Sequence, residues 1–371
     1  MNGMQQSEAK QEGTVQAVQI VEKEEAKEMQ KRPDLKDMTR QELREFIKAL
    51  GQPAFRGDQI FSWMYGSATE VSQMKNLPKQ LQQLLSERSF LTCHKIERVQ
   101  RSKSDGTRKY LFRLADANTV ESVFMKYKFG NSICVSTQAG CRMGCRFCAS
   151  GIQGLARSLS AAEIAEQVLA VQRDTKERIS HIVLMGTGEP FDNYDNVAKF
   201  LRLVHDEKGL NLSLRNITVS TCGLIPQIRR FAQEFPQVNL AVSLHAASDE
   251  VRNQLMPINK TYPIAPLLAA CREHAKETGR RTTFEYTLVR GINDSQAHLK
   301  QLSGLLSGMN CHVNLIPMNP VSEKSYRGTD RRFAAEFCKG LSDRGIPATV
   351  RRELGSDIDA ACGQLRLNAQ K

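Results

Sequence analysis

The chain has 371 residues, of which 40% are hydrophobic and 25% charged, and a formal net charge of +12. It is long enough for one large domain with appendages or for two or three ordinary ones, and its apolar runs are far too short to span a bilayer. Ten cysteines without a hydrophobic signal segment point to a reducing cytoplasm, where thiols bind metal or react and are not structural disulfides. The excess of positive charge favours a polyanionic partner. Its clusters are Arg98, Arg101, Lys103, Arg108 and Lys109, then Arg229 with Arg230, Arg280 with Arg281, Arg331 with Arg332, and Arg351 with Arg352. Taken singly, each cluster is also explained by a solvated face.

Residues 1–33 are rich in Gln, Glu and Lys and lack aromatics, a composition that predicts a disordered or loosely helical tail. From Thr39 the pattern is helical. Thr39 and Glu42 make a capping box, Leu43, Phe46, Ile47 and Leu50 share one face, and Gly51 stops the helix. Further helical stretches over Ile60 to Tyr65 and Pro78 to Glu87 complete a helical accessory domain over 34–92. Between residues 93 and 130 the period becomes two, with turn signals at Asp105-Gly106 and Asp116 to Asn118, which predicts an antiparallel β-meander leading into a strand over Ser132 to Gln138. Strands near 132, 181, 216, 239, 281 and 311 then alternate with amphipathic helices, one of them opened by a Ser160/Glu163 capping box. Six such units over 131–355 predict an α/β fold, a partial (βα)6 barrel with its site at the carboxyl ends of the strands, followed by a carboxyl-terminal segment over 356–371.

Cys141, Cys145 and Cys148 follow the first barrel strand in the stretch CRMGCRFCAS. A CxxxCxxC spacing presents three thiolates to one iron–sulfur cube, and three ligands leave one iron open for the amino and carboxylate groups of S-adenosylmethionine. The spacing resembles that of the radical-SAM superfamily. Zinc ribbons usually bring a second CxxC pair or histidines, and neither His181 nor His245 belongs to such a spacing. After the second strand comes Gly186-Thr187-Gly188-Glu189-Pro190, whose glycines admit a ligand to the backbone and whose Glu189 can accept from an ammonium. It lacks the third glycine of a dinucleotide fingerprint. It resembles the turn that holds the cofactor's methionine in radical-SAM proteins. Ser220, Ser243-Leu244-His245 and Asn319 stand at other strand ends, where hydroxyl, imidazole and amide groups suit a ribose or carboxylate, or are ordinary rim polarity. Cys362 lies among small residues in DIDAACGQL, and Cys134 lies seven residues before the first cysteine of the cluster loop. A lone thiol is structural by default.

In order and spacing, FRGDQIFSWMY, VESVFMKYKFGNSICVSTQAGCRMGCRFCAS, MGTGEP, STCGLIP, SLHA, LMPIN, HVNLIPMNP and DIDAACGQL resemble the RlmN and Cfr family of radical-SAM RNA methyltransferases over about residues 38 to 367. The resemblance implies two molecules of S-adenosylmethionine per turnover. Cys362 matches the cysteine that accepts the first methyl group. A 5′-deoxyadenosyl radical made from the second molecule, at a [4Fe-4S] cluster on Cys141, Cys145 and Cys148, then removes hydrogen from that methyl group. The resulting methylene adds to an adenine ring carbon, too electrophilic for a methyl-cation donor. Cys134 matches the thiol that resolves the adduct through a transient disulfide, and Glu121 matches the proton acceptor, although the sequence alone reads it as a carboxylate on an exposed hairpin. Gly188, Glu189, Ser220, Ser243, Leu244, His245 and Asn319 match the cofactor contacts. Cys222 departs from a common serine, and Thr187 from a frequent methionine.

The resemblance further implies 23S rRNA and tRNA as partners, an electron donor such as flavodoxin or ferredoxin, no membrane, and a monomer. RlmN-type members make 2-methyladenosine in 23S rRNA near the peptidyl transferase centre and next to a tRNA anticodon, whereas Cfr-type members methylate C8 of the same rRNA adenosine. Pro317-Met318-Asn319, Ala139 in place of a further cysteine, and the complete accessory domain favour C2. A non-catalytic iron–sulfur RNA-binding factor would need neither Cys134 nor Glu121 nor Cys362. A radical-SAM enzyme for a small metabolite would leave the basic charge and the accessory domain unexplained.

Overall fold

The computed structural model describes residues 32–319, 321 and 324–365, so nearly all of the tail expected over 1–33 lies outside the described residues. Three helices come first: α1 (Arg40–Ala49), α2 (Phe55–Gly66) and α3 (Lys79–Arg88). The Thr39/Glu42 capping box is formed, and Leu43 and Ile47 of α1 are fully buried. A Cβ on Gly57 would lie 2.9 Å from the Arg44 backbone nitrogen, so only glycine lets α2 approach α1 this closely. Arg44 also forks onto both Asp58 oxygens at 2.9 Å.

An antiparallel meander follows, made of β1 (Lys95–Arg101), β2 (Arg108–Arg113), β3 (Thr119–Tyr127) and β4 (Gly130–Cys134). From β4 the same sheet continues in parallel through β7 (His181–Leu184), β8 (Ile217–Thr221), β9 (Asn239–Ser243), β10 (Thr282–Leu288), β11 (Cys311–Pro317) and β12 (Ala348–Val350). The six expected barrel strands are β4 and β7 to β11, and β12 adds a further parallel one beside β11. The covering helices are α4 (Ala161–Thr175), α5 (Tyr194–His205), α6 (Ile225–Glu234), α7 (Asp249–Leu255), α8 (Ile264–Thr278), α9 (Gln296–Leu306) and α10 (Arg331–Ser342). Fully buried Ile133, Ile182, Val219, Val242, Phe284 and Val313 carry the core along the parallel strands.

The strand expected over Ser132 to Gln138 stops at Cys134. Backbone groups beyond it find other partners, the Ser136 N–H donating to Gln167 Oε1 (2.9 Å) and the Thr137 N–H to the Thr187 carbonyl (2.9 Å). Gln138–Gly140 (β5) then pairs antiparallel with Leu155–Ser158 (β6), framing the cysteine loop. The helical unit is fixed to the barrel at α4. Lys36, fully buried, pairs with Glu166 at 2.6 Å, and Asp37 Oδ1 accepts from the Ala162 N–H in the first turn of α4.

Candidate functional site

At the carboxyl ends of the parallel strands lies a cleft of about 940 Å³, the open space at its mouth included. Its walls carry Cys141, Cys145, Cys148, Gly188, Glu189, Ser220, Ser243, His245, Asn319 and Cys362. A second chamber of about 570 Å³ holds Cys134, together with Val123, Met125, Tyr127 and Arg352. Cys362 lines both spaces, as do Met185, Ile316, Asn319 and Arg351.

The cysteine loop is shaped by its backbone. Gly140 has φ +81°, and a Cβ there would fall 2.0 Å from the Gly154 carbonyl oxygen, which accepts from the Cys141 N–H at 2.9 Å. The Arg146 N–H donates to the Leu255 carbonyl and the Ala149 N–H to the Gly363 carbonyl, so the loop sits between α7 and the segment bearing Cys362. Among the described residues no three His, Cys, Asp or Glu side chains converge as a single metal ion would require. Three thiols lining one cleft are a donor set that a larger iron–sulfur cluster could use. Burial pushes the free Cys141 thiol up to about 12 and raises Cys145 as well. A cluster bound there as thiolates would release their protons.

Glu189 is buried, 4% exposed; its carboxylate accepts from the Phe191 N–H (2.9 Å) and the Cys222 N–H (2.8 Å). Burial still raises its pKa, so the charged form gains from an incoming ammonium. Beside it Gly188 has φ +110°, with room for no Cβ, since Gln138 Cβ would lie 2.7 Å away. His245 adopts a left-handed backbone, φ +55°, unusual for a non-glycine residue. Its Nδ1 accepts the Thr287 N–H at 2.9 Å, which assigns the ring proton to Nε2. Burial, reinforced by the Arg252 charge, lowers its pKa to about 3, so this cleft-lining ring is neutral with its proton on Nε2. Phe147, from the cysteine loop, packs edge-on against this ring at 4.9 Å.

Three of the sequence-derived site residues lie off the cleft wall. Leu244 is fully buried, with its carbonyl accepting from Arg252 Nε. Cys134 ends β4 opposite Val123 and Val183, and burial pushes its pKa up to about 12, with the Cys362 sulfur adding to the rise. Glu121 is the one corrected placement: far from an exposed hairpin, it is 2% exposed on β3 and paired with Lys109 at 3.3 Å. Lys109 also donates to the Asp359 carbonyl (3.1 Å). Asp105 Oδ2 accepts from the Gly355 N–H (2.9 Å), and Asp357 Oδ2 from the Lys103 N–H (3.0 Å). The β1–β2 hairpin thus grips the segment that carries Cys362.

Comparison with known proteins decides the family. The family model described as the radical SAM superfamily matches residues 135–302, and that of the ribosomal RNA large subunit methyltransferase N-terminal domain matches residues 33–91. A probable dual-specificity RNA methyltransferase RlmN of Lachnospira eligens is 50% identical over 334 residues, covering 90% of this chain and 95% of its own. Its counterpart from Clostridium perfringens is 52% identical over 331 residues, covering 89% and 95%. The chain belongs to the RlmN family of radical-SAM RNA methyltransferases. A crystal structure of a radical SAM methyltransferase from Sphaerobacter thermophilus shares its fold, with a TM-score of 0.87 at 46% identity over 90% of this chain and 99% of that one.

This RlmN-family site also depends on residues that sequence reasoning passed over. Arg252 is fully buried and spends all five guanidinium N–H groups on the Cys222, Ser243, Leu244 and Tyr262 carbonyls and Asn259 Oδ1, at 2.8 to 3.1 Å. It ties the ends of β8 and β9 together. Asn293 bridges the His245 and Thr287 carbonyls at 2.7 Å each, holding the strained histidine. The only sequence signal for Arg252 is its place three residues before Leu255, on the buried face of α7.

Proposed function

We propose that this chain methylates C2 of an adenosine in 23S rRNA and in tRNA, with Cys362 as the carrier of the carbon atom. The observation that carries this reading is the place of Cys362 on the wall shared by two chambers, one with the three clustered cysteines and the other with Cys134. A [4Fe-4S] cluster on Cys141, Cys145 and Cys148, reduced by a flavodoxin or ferredoxin, would supply the electron that cleaves S-adenosylmethionine. Glu189 would receive the ammonium of that molecule, with Gly188, Ser220, Ser243, Leu244, His245 and Asn319 as its further contacts. His245 suits the task of donating to an anionic or hydroxyl oxygen, since its Nε2 keeps a proton at neutral pH without a net charge.

Cys362 takes a methyl group, presents its carbon to the base in the shared space, and is released from the product by Cys134 through a transient disulfide. Glu121 takes up the proton from the adenine carbon, and Lys109 fixes its carboxylate. Both target adenosines must be exposed from their stacks, and exposed Arg98, Arg101 and Lys103 on β1 and the adjoining turn offer charge for RNA contact beside the gripped segment. We place the protein in the cytoplasm and read it as a monomer. The test is nucleoside mass spectrometry of unmethylated 23S rRNA and tRNA after anaerobic incubation with reconstituted protein, reductant and S-adenosylmethionine. The expected product is 2-methyladenosine, absent with Cys362→Ala. Formation of 8-methyladenosine, or of no product by a protein with an intact cluster, overturns the reading.

A further inference from the structure

Strands β3 and β4 are joined by the tip Lys128-Phe129, and the tip is fixed from below. Gly130, directly after it, has φ +135°, and a Cβ there would fall 2.2 Å from Ser180 Oγ, so only glycine lets the turn close on the start of β7. Ser180 donates to the Asn131 carbonyl from its backbone N–H (2.9 Å) and its hydroxyl (3.0 Å), and its Oγ lies 2.9 Å from His181 Nδ1. Phe129 stacks on Tyr127, with ring centroids 4.8 Å apart and 11° between planes, and meets His181 at 5.1 Å and 79°. It is nevertheless 67% exposed. With one face against Tyr127, so high an exposure leaves the opposite face open to solvent. A lone exposed phenylalanine is ordinary; a ring held by two fixed neighbours with its free face outward is a preformed aromatic surface.

The charge around this ring is positive. Lys128 on the tip and Arg352 after β12 are exposed and form no ion pair with any of the described residues. Glu177 is taken up by Lys126 and by Asn131 Nδ2 at 3.0 Å, and Glu353 by Arg331 at 2.9 Å. Tyr127, which covers the inner face of Phe129, lines the second chamber together with Arg352, Cys134 and Cys362. The stack therefore leads from the surface to the chamber that holds both thiols. We propose that Phe129 is a stacking platform for an unpaired nucleobase of the RNA substrate, a neighbour of the base that reaches Cys362, with Lys128 and Arg352 taking the adjoining phosphates. The proposal rests on the reading of Cys362 as the carrier of carbon to an RNA base. A single-stranded stretch of RNA brings both a flat π-face and adjoining negative charge, the combination this surface complements. A base inside a duplex has both faces covered by its neighbours, so the platform selects an opened loop. Because Gly130 and the Ser180 bonds hold the tip before RNA arrives, little ordering entropy is lost on binding.

The test is equilibrium binding, by fluorescence anisotropy, of an unmodified tRNA transcript and of a blunt-ended RNA duplex to the cluster-loaded full chain without S-adenosylmethionine. Phe129→Ala is expected to weaken tRNA binding about tenfold, at an unchanged slope of affinity against salt, and to leave the duplex unaffected. Phe129→Trp is expected to bind as tightly as the parent or more so, and Phe129→Leu, apolar but without a π-face, to resemble alanine. Lys128→Gln is expected to lower the salt slope by about one unit. Both side chains are exposed, so each variant is expected to melt with the parent. Unchanged tRNA affinity in Phe129→Ala, an equal loss on the duplex, parent-like binding by Phe129→Leu, or a salt slope unmoved by Lys128→Gln overturns the proposal. So does a dimer in sedimentation that Phe129→Ala dissociates with tRNA affinity kept, which would assign the face to a second copy of this chain. No methyl transfer is read, so a protein that shows the Phe129→Ala loss and forms no 2-methyladenosine keeps the platform while the methylation reading falls.

Discussion

Replacing Arg252 by lysine keeps the charge and removes the fork. The guanidinium satisfies five buried acceptors drawn from β8, β9 and the turn after α7. An ammonium has three N–H groups radiating from one point, so at least two of those acceptors lose their partner. Each buried orphan costs about 1–3 kcal/mol, which gives a loss of about 2–6 kcal/mol in unfolding free energy. That is a large share of the ~5–15 kcal/mol by which a folded protein is stable. Three of the five acceptors, the Cys222, Ser243 and Leu244 carbonyls, lie at the carboxyl ends of the strands that bear Ser220 and Ser243, so the cofactor cleft should loosen together with the fold. Urea unfolding of the cluster-loaded Arg252→Lys protein measures the first effect, and calorimetric titration with S-adenosylmethionine the second, where an affinity loss of about tenfold or more is expected. A stability loss under about 1 kcal/mol with unchanged affinity would refute the reasoning that this fork organises the strand ends.

Gly188→Ala is expected to fold yet bind S-adenosylmethionine poorly, because the new Cβ would lie 2.7 Å from Gln138 Cβ and 2.8 Å from its backbone nitrogen at a φ of +110°; calorimetry with a thermal melt as control checks both halves. His245 is held neutral in the fold, with a pKa near 3 against 6.5 for the free group. The unfolded chain therefore binds one more proton between those values, so this contribution is complete above about pH 6.5 and lost as pH falls, by about 1.4 kcal/mol per unit. Comparing the pH dependence of unfolding for the parent and His245→Gln isolates that slope. Lys36→Met leaves Glu166 fully buried with Arg173 as its remaining ion-pair partner, and is expected to cost about 3–5 kcal/mol in urea unfolding.

Local features were legible before the fold was known. The capping boxes at Thr39 and Ser160, the cluster loop, the Gly186 to Pro190 turn and the alternation of strand and helix each depend on neighbours within a few residues, and all appear where spacing put them. What stayed hidden depends on partners far along the chain. Arg351 reads as half of one more basic pair, yet it lines both chambers with Cys362 and pairs with Glu285. Glu121 and Lys109 are charged residues in strands of a hairpin that looks half-solvated, but Lys109 reaches the Asp359 carbonyl after Gly355 and pairs with Glu121, and both are buried. The break at Cys134 could not be seen because β-branched Val135 and Thr137 alternate with polar Ser136 and Gln138 as a strand would, and Gln167, which takes the Ser136 N–H instead, lies on a helix 31 residues away.

The grip of the β1–β2 hairpin on the Cys362 segment joins residues about 250 positions apart. Synthesis runs from the amino terminus, and domains begin to fold as they emerge. The helical unit, the meander and the cluster loop are thus exposed to solvent, oxidants and metal while the segment that closes them is still unmade. A polypeptide interrupted between residues 148 and 362 would have the three cysteines of the loop and lack the thiol proposed to receive a methyl group. Placing the proposed carrier thiol in the last-made part of the site would keep carbon transfer from starting before the rest of the machinery is in place.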